Sequence, residues 1–159
     1  MAKDEAASGK ADRREGVPGL AMDAEALNAF LREHFSQVAD DFALERVVPD
    51  GITVRLRTQE RHLRPGGTVS GPTMFALADV SVYLAILSRL GPVALAVTTN
   101  CAIDFMRKPV AGRDLLCEAR LHKLGRVLAV GDALLRSEGT DGLVARASLT
   151  YSIPPASPG

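Results

Sequence analysis

The segment from Ser70 to Pro92, SGPTMFALADVSVYLAILSRLGP, constrains the fold more than any other part of the sequence. It has the signals of one helix, with Ser70 or Gly71 as the N-cap, a proline at the first helical position and Gly-Pro at the end. The residues between these signals are apolar almost all round, and Asp79 is the only charged residue before Arg89. A helix that is apolar on every side has to be enclosed by the rest of the chain.

The sequence around this helix predicts one further helix and six strands. An amphipathic pattern with Asp23 as the N-cap predicts a helix over residues 22–38. Two strands before the central helix and four after it are predicted at 43–48, 52–58, 93–106, 115–124, 127–136 and 143–153. Because helices do not alternate with strands, a parallel doubly wound sheet is disfavoured. The expected fold class is α+β, with a curved antiparallel β-sheet wrapped around the long central α-helix.

Length and composition favour a single folded domain. The chain has 159 residues, with 19 basic and 19 acidic ones, so no nucleic-acid partner bound through bulk charge is expected. We expect a disordered arm over 1–20, one domain over 21–153 and a tail over 154–159. The longest apolar run, Val80 to Leu87, is shorter than the ~20 residues of a membrane span, so no membrane partner is expected. A start without secretory features and two cysteines in apolar runs favour a cytoplasmic protein.

Two features of the central helix suggest a functional site, and each also has a structural explanation. The helix start offers backbone N–H groups at Gly71, Thr73 and Met74. These groups can hold an oxyanion or polarise a carbonyl oxygen, or they can belong to an ordinary capped terminus. Asp79 is a poor helix former, and its burial is costly without partners. It is either a functional acid or a structural one bonded to a neighbouring strand.

The spacing of these two features limits how they could act together. At ~1.5 Å of rise per residue, the eight residues from Gly71 to Asp79 span roughly 12 Å along the helix axis. A carbonyl group held at the helix start would be out of reach of Asp79 in the same chain. If the site is real, the sequence therefore predicts an isologous dimer with antiparallel helices and two shared sites.

Four segments of the sequence, GPTMFALAD (71–79), RPGG (64–67), 98–126 and 128–153, resemble the hotdog-fold acyl-CoA thioesterases of the phenylacetate-degradation, PaaI-like branch. The resemblance covers roughly residues 40–153. It implies a hotdog fold, homodimers formed through the sheet edge and commonly tetramers. It also implies hydrolysis of an acyl-CoA thioester without a metal ion or redox cofactor, CoA being part of the substrate. In the family pattern, Asp79 is the nucleophile or the general base, and Gly71 donates its N–H to the thioester oxygen.

Further polar residues are candidates for substrate binding. By alternation, Thr98 and Asn100 face one side of their strand and Thr99 the other, so this polar run either bonds to Asp79 or a water, or bonds within the sheet. A basic cluster of Arg107, Lys108, Lys123 and Arg126 is expected at the strand ends, either solvated or holding CoA phosphates. Arg64 could join this cluster or pair with Asp79. The residues predicted to bind substrate are Arg64, Ser70, Thr73, Thr99, Asn100, Arg107, Lys108 and Arg126.

The helix start departs from the family pattern. Family members usually carry His-Gly-Gly where this chain has Ser70, Gly71 and Pro72, and a family asparagine falls near Arg64. These departures leave open a non-catalytic hotdog protein that binds acyl-CoA or lipid. A hotdog dehydratase is disfavoured because no histidine lies between His62 and His122 in the sequence. The low aromatic content, 4%, favours a flexible or aliphatic acyl pocket.

Overall fold

The computed structural model describes residues 19–155 of the chain, and most of the predicted arm and tail lies outside them. Three α-helices, one 3₁₀ helix and six strands make up the described part. The helices are α1 (Ala24–His34), α2 (Ser36–Ala39), the 3₁₀ helix Glu60–His62 and α3 (Gly71–Leu90). The strands are β1 (Phe42–Val48), β2 (Gly51–Leu56), β3 (Val97–Phe105), β4 (Leu115–Leu124), β5 (Leu128–Ser137) and β6 (Leu143–Ser152).

The six strands form one sheet in the order β1-β2-β4-β5-β6-β3, and every neighbouring pair is antiparallel. The sheet curves around α3, which contacts β2 through β6. Inward-facing residues of the strands and the helix form one hydrophobic core. This is the predicted α+β architecture, and the element order agrees with the sequence-based prediction. Strand β3 lies at one edge of the sheet, so one side of its backbone has no partner strand within the described part of the chain.

Helix α3 begins and ends where the sequence predicts. Ser70 is its N-cap, and Gly91 ends it with φ +87°, a conformation that glycine adopts without strain. By length and composition the helix could cross a membrane, but 67% of its most apolar window is buried. The sheet approaches it so closely at Gly131 that a Cβ there would lie 3.3 Å from Cγ1 of Val82. Its apolar character is therefore that of a core helix enclosed by a sheet.

The predicted helix over 22–38 is broken, which corrects the sequence-based prediction. Asp23 is the N-cap, as predicted, and accepts a hydrogen bond from the Ala26 N–H at 2.8 Å. The helix then stops at Phe35, whose φ of −139° and ψ of 50° are not helical, and α2 follows. Phe35 packs edge-on against Tyr83 of α3 with ring centroids 6.2 Å apart. The segment contains no glycine or proline, so tertiary packing accounts for the break.

Candidate functional site

Asp79 lies half-buried on α3, and two hydroxyl groups from the sheet bind its carboxylate. Thr98 donates from Oγ1 to Oδ1 at 2.5 Å. The Tyr151 hydroxyl lies 2.6 Å from the same Oδ1 and 2.8 Å from the main-chain oxygen of Asp79. Thr98 and Tyr151 are directly opposite each other on β3 and β6. The neighbouring strands therefore hold this acid with neutral donors rather than with a cation.

A β-bulge in β3 decides which residues of the polar run point towards the helix. The register passes from Thr98 opposite Tyr151 to Asn100 opposite Thr150, so Thr99 is an extra residue. Thr99 donates to the main-chain oxygen of Thr150 at 3.3 Å, and both Thr99 and Asn100 are exposed. The expectation that Thr98 and Asn100 share a face is therefore wrong. Within one chain, neither Thr99 nor Asn100 contacts the helix carboxylate.

A pocket of about 390 Å³ opens beside Asp79. The break between α1 and α2 supplies His34 and Phe35, and α3 supplies Tyr83, whose ring stacks with that of Tyr151 at a centroid distance of 6.3 Å. The chain has only five phenylalanines and two tyrosines, yet three of these seven rings line this one pocket. The lining of this pocket is therefore partly aromatic. Its lining is His34, Phe35, Asp79, Val80, Tyr83, Ala94, Ala96, Val97, Thr98 and Tyr151.

At the start of α3, capping leaves fewer free amides than the sequence suggests. The Ser70 side chain accepts the Thr73 N–H at 3.3 Å, and the Ser70 main-chain oxygen accepts the Met74 N–H at 3.1 Å. Pro72 has no N–H. The expectation of free amides at Thr73 and Met74 is therefore wrong, whereas the Gly71 N–H donates no hydrogen bond to any residue in 19–155. This amide lies at the positive end of the helix dipole.

The Ser70 and Thr73 side chains are engaged in holding the loop before the helix. Their hydroxyls lie 2.9 Å apart, and Thr73 Oγ1 donates to the main-chain oxygen of His62 at 3.3 Å. The Ser70 N–H donates to that same oxygen at 2.9 Å. Within one chain, both side chains therefore fix the helix start.

A second pocket, of about 410 Å³, lies at this helix start. Arg64, Arg107 and Lys108 line it together with Gly71, and no acidic residue is among its lining residues within the described range. The structure thus brings three of the predicted binding cations to the free amide. Arg64 joins this group rather than pairing with Asp79. The Phe105 ring also lines the pocket, its tip 3.5 Å from the position of a Cβ on Gly71.

Arg126 lies apart from these cations, so one chain does not contain the single basic cluster that the sequence suggests. Arg126 is in the turn between β4 and β5. Two residues later, Leu128 pairs with Ser152 of β6, and Ser152 pairs with Val97 at the start of β3. Arg126 therefore lies towards the Val97 end of the sheet edge. Arg107 follows the other end of β3. The two basic regions therefore lie towards opposite ends of the edge strand β3.

The sequence-based site omits Tyr151, which the structure makes the closest partner of Asp79 together with Thr98. Burial, followed by the charge of Asp79, raises the pKa of the Tyr151 phenol. A signal for this residue did exist, because it falls on the inward-facing alternation of β6. A buried tyrosine hydroxyl needs a hydrogen-bond partner, and the nearest unexplained polar group was the helix acid.

Comparisons with known proteins agree with this architecture. The model of the family described as the thioesterase superfamily matches residues 66–144. A protein of Pseudomonas aeruginosa that is provisionally named an esterase is 34% identical over 103 residues, 65% of this chain and 75% of its own length. Acyl-coenzyme A thioesterase 13 of Homo sapiens is 25% identical over 114 residues, 71% of this chain and 80% of that protein.

Solved structures give the same result. A structure from a Silicibacter species, provisionally described as a thioesterase, is 60% identical with a TM-score of 0.81 and covers 88% of this chain and 99% of that one. A mutant of the phenylacetic acid degradation protein PaaI from Thermus thermophilus is 26% identical with a TM-score of 0.62, covering 79% and 99% of the two chains. The PaaI-like resemblance and the hotdog fold expected from the sequence are confirmed.

Proposed function

Because the chain belongs to the thioesterase superfamily, with thioester hydrolysis as its general activity, we propose that its substrate is an acyl-CoA. It hydrolyses this thioester to the free acid and CoA at sites shared between two subunits. One observation carries the proposal: one chain has two separate pockets with different chemistry. The first contains the free Gly71 amide with cations around it, and the second contains the Asp79 carboxylate, which is bound by two hydroxyl groups. Each pocket supplies the chemistry that the other lacks.

The Gly71 end suits the CoA side of the substrate. Its free N–H, at the positive helix terminus, can donate to the thioester oxygen and stabilise the negative charge that develops there. Arg64, Arg107 and Lys108 are exposed around it, where they can meet the phosphate groups of CoA. The absence of acids from the described lining of this pocket favours an anionic ligand.

The Asp79 end suits the chemical step and the acyl group. As a general base, the carboxylate takes a proton from water while the water oxygen bonds to the thioester carbon, and the C–S bond then breaks to release the CoA thiolate. As a nucleophile, its oxygen displaces the thiolate to give a mixed anhydride that water hydrolyses. The adjacent pocket, partly aromatic, receives the acyl group. Neither route needs a metal ion or a redox cofactor.

The separation of the two ends supports a shared site. Gly71 and Asp79 are eight residues apart on one continuous helix, roughly 12 Å along the axis at ~1.5 Å per residue, and each lines a different pocket. A thioester carbonyl bound at Gly71 therefore requires the carboxylate of another subunit. Two α3 helices in antiparallel orientation meet this requirement twice, once in each site of an isologous dimer.

The open edge of β3 is the surface through which we propose that the subunits pair. Val97 at one end of the strand is 56% exposed and Phe105 at the other is 52% exposed, and an exposed apolar edge readily adds a strand. Antiparallel pairing would bring the Val97 end of one strand beside the Phe105 end of the other. It would also bring Arg126 towards Arg107 of the partner subunit, reuniting the basic residues that one chain separates. A dimer of such dimers in the cytoplasm is the proposed form.

A mixed-subunit experiment tests the proposal. First, a panel of acyl-CoA esters is screened by thiol release. Asp79→Ala and Gly71→Pro chains are then co-expressed with different tags, and dimers carrying both tags are purified. In a shared site the mixed dimer regains one intact site of two, so about half of the wild-type rate is expected. If both single-variant proteins are inactive and the mixed dimer is equally inactive, the proposal of a site shared between two subunits is contradicted.

A second candidate function, a non-catalytic acyl-CoA or lipid-binding protein, is favoured by one observation. Ser70 and Pro72 stand where the family usually has histidine and glycine, and Pro72 leaves the helix start with one amide fewer. Such a protein would bind the esters of the same panel, measured by calorimetry, without releasing thiol from any of them. Thiol release with steady turnover would exclude it.

A further inference from the structure

Tyr151 occupies a position from which it controls the orientation of the Asp79 side chain. It is 2% exposed and lies on β6 between Thr98 on β3 and Ala129 on β5. Its ring stacks with that of Tyr83 at an interplanar angle of 25°. Packing on three sides therefore fixes the place from which its hydroxyl acts.

The Tyr151 hydroxyl lies within hydrogen-bond distance of two oxygens of Asp79. It lies 2.6 Å from Oδ1 and 2.8 Å from the main-chain oxygen of Asp79, and a phenol has one proton to share between them. This three-centre contact holds the side chain against its own helix. Thr98 also donates to Oδ1, so two donors converge on one carboxylate oxygen. Among residues 19–155, no hydrogen-bond donor reaches Oδ2.

The chemistry of the phenol excludes it as a base. Burial and the neighbouring Asp79 charge raise the pKa of Tyr151, so the hydroxyl keeps its proton at neutral pH and acts as a donor. A phenol held in this state cannot take a proton from water or from a substrate. Its one proton is directed at the two Asp79 oxygens, so its contribution passes through that residue.

We propose that Tyr151 is a positioning residue: together with Thr98 it fixes Asp79 through Oδ1 and so presents Oδ2 to the attacking water or to the thioester carbon. This inference rests on the proposed function, in which Asp79 is the acting carboxylate. A carboxylate that can rotate spends part of its time with neither oxygen aligned for reaction, and fixing it in advance removes that loss.

The test compares two hydroxyl deletions in the full chain, Tyr151→Phe and Tyr83→Phe. Both tyrosines are buried and stack on each other, but the Tyr83 hydroxyl donates to the main-chain oxygen of Ala94 at 3.0 Å instead of to the acid. Tyr151→Phe should lower kcat by about 10- to 100-fold, the loss expected for one hydrogen bond to a charged group. KM should change by no more than about twofold, because the ring remains. The kcat defect of Tyr83→Phe should be smaller by about an order of magnitude.

A second pair of variants keeps the test decisive if Tyr151→Phe folds poorly. Thr98→Val removes the other donor to Oδ1 at nearly constant shape, whereas Thr98→Ser keeps a hydroxyl. The valine variant should show the same defect, in kcat and not in KM, and the serine variant should recover most of the rate. Equal kcat values for Tyr151→Phe and Tyr83→Phe, or a defect confined to KM, would overturn the inference alone. A wild-type protein that releases thiol from no ester would overturn the proposed function, and this inference with it.

Discussion

The two ends of the proposed site lie on the same half of α3 but are built in different ways. At Gly71 the acting group is a main-chain amide, which the helix itself orients, and the side chains around it are exposed cations on loops. At Asp79 the acting group is a side chain, and buried or half-buried hydroxyls from two strands orient it. The amide end should therefore tolerate changes of its neighbours, whereas the carboxylate end should be sensitive to the loss of single hydroxyl groups.

The largest effect is expected at the carboxylate end. Asp79→Ala removes the carboxylate that the proposed chemistry uses as base or nucleophile, so kcat should fall by about 10³-fold or more. The fold should persist, because Asp79 is half-buried and its partners Thr98 and Tyr151 are neutral. Thiol release measures the rate, and thermal unfolding checks the fold.

Asp132→Ala is the matched control for this substitution. Asp132 lies on β5 with its side chain on the opposite face of the sheet, 3.1 Å from Nε2 of His122, and it lines neither pocket. It should keep the wild-type rate within about twofold, as surface substitutions usually do. A fully active Asp79→Ala variant would remove the carboxylate end from the proposed site.

The next largest effect is expected at the amide end, from the loss of one N–H. Gly71→Pro removes this donor at the first helical position, where proline is otherwise tolerated, and should lower kcat by about 10²- to 10³-fold. Gly71→Ala keeps the N–H and adds a Cβ in ordinary contact with the Phe105 ring, 3.5 Å away. The alanine variant should therefore lose much less activity. Equal losses in both variants would indicate steric blocking rather than a missing donor.

A smaller effect is expected from the cations, and it tests whether the two basic regions meet. Arg107→Ala should raise KM for acyl-CoA by about tenfold with little change in kcat, the loss of one charge-assisted contact. If pairing through β3 brings Arg126 beside Arg107 of the partner subunit, Arg126→Ala should raise KM similarly. An Arg126→Ala variant with wild-type KM, measured at the same ionic strength, would leave phosphate binding to the Gly71 pocket alone.

Local features of both ends could be predicted from sequence, whereas the contacts that complete each end could not. The N-cap at Ser70 and the acid at Asp79 could be predicted because capping signals and a lone charge in an apolar helix are local features. The partners of Asp79 could not, because the bulge at Thr99 reverses the alternation that a regular strand would have. The interruption of the first helix at Phe35 could not be predicted either, since it follows from packing against Tyr83 rather than from any helix-breaking residue.

The smallest effect concerns pH, and it should reach the amide end first. His62 is buried, its main-chain oxygen holds both Ser70 and Thr73, and Asp41 and Arg61 lie beside it. Burial, followed by the charge of Arg61, lowers the pKa of His62 from its usual value of 6.5. The unfolded chain therefore binds this proton more readily than the folded one, and stability should fall as pH drops below about 6.5.

This decline should appear as a thermal midpoint lower by a few degrees at pH 5.5 than at pH 7.5. His62→Gln should weaken that dependence, because it removes the titrating group. If the helix start loosens before the rest of the fold, hydrogen exchange at pH 5.5 should rise for the amides of Thr73 and Met74 before it rises around Asp79. Uniform exchange along α3 would mean that the two ends of the site lose their structure together.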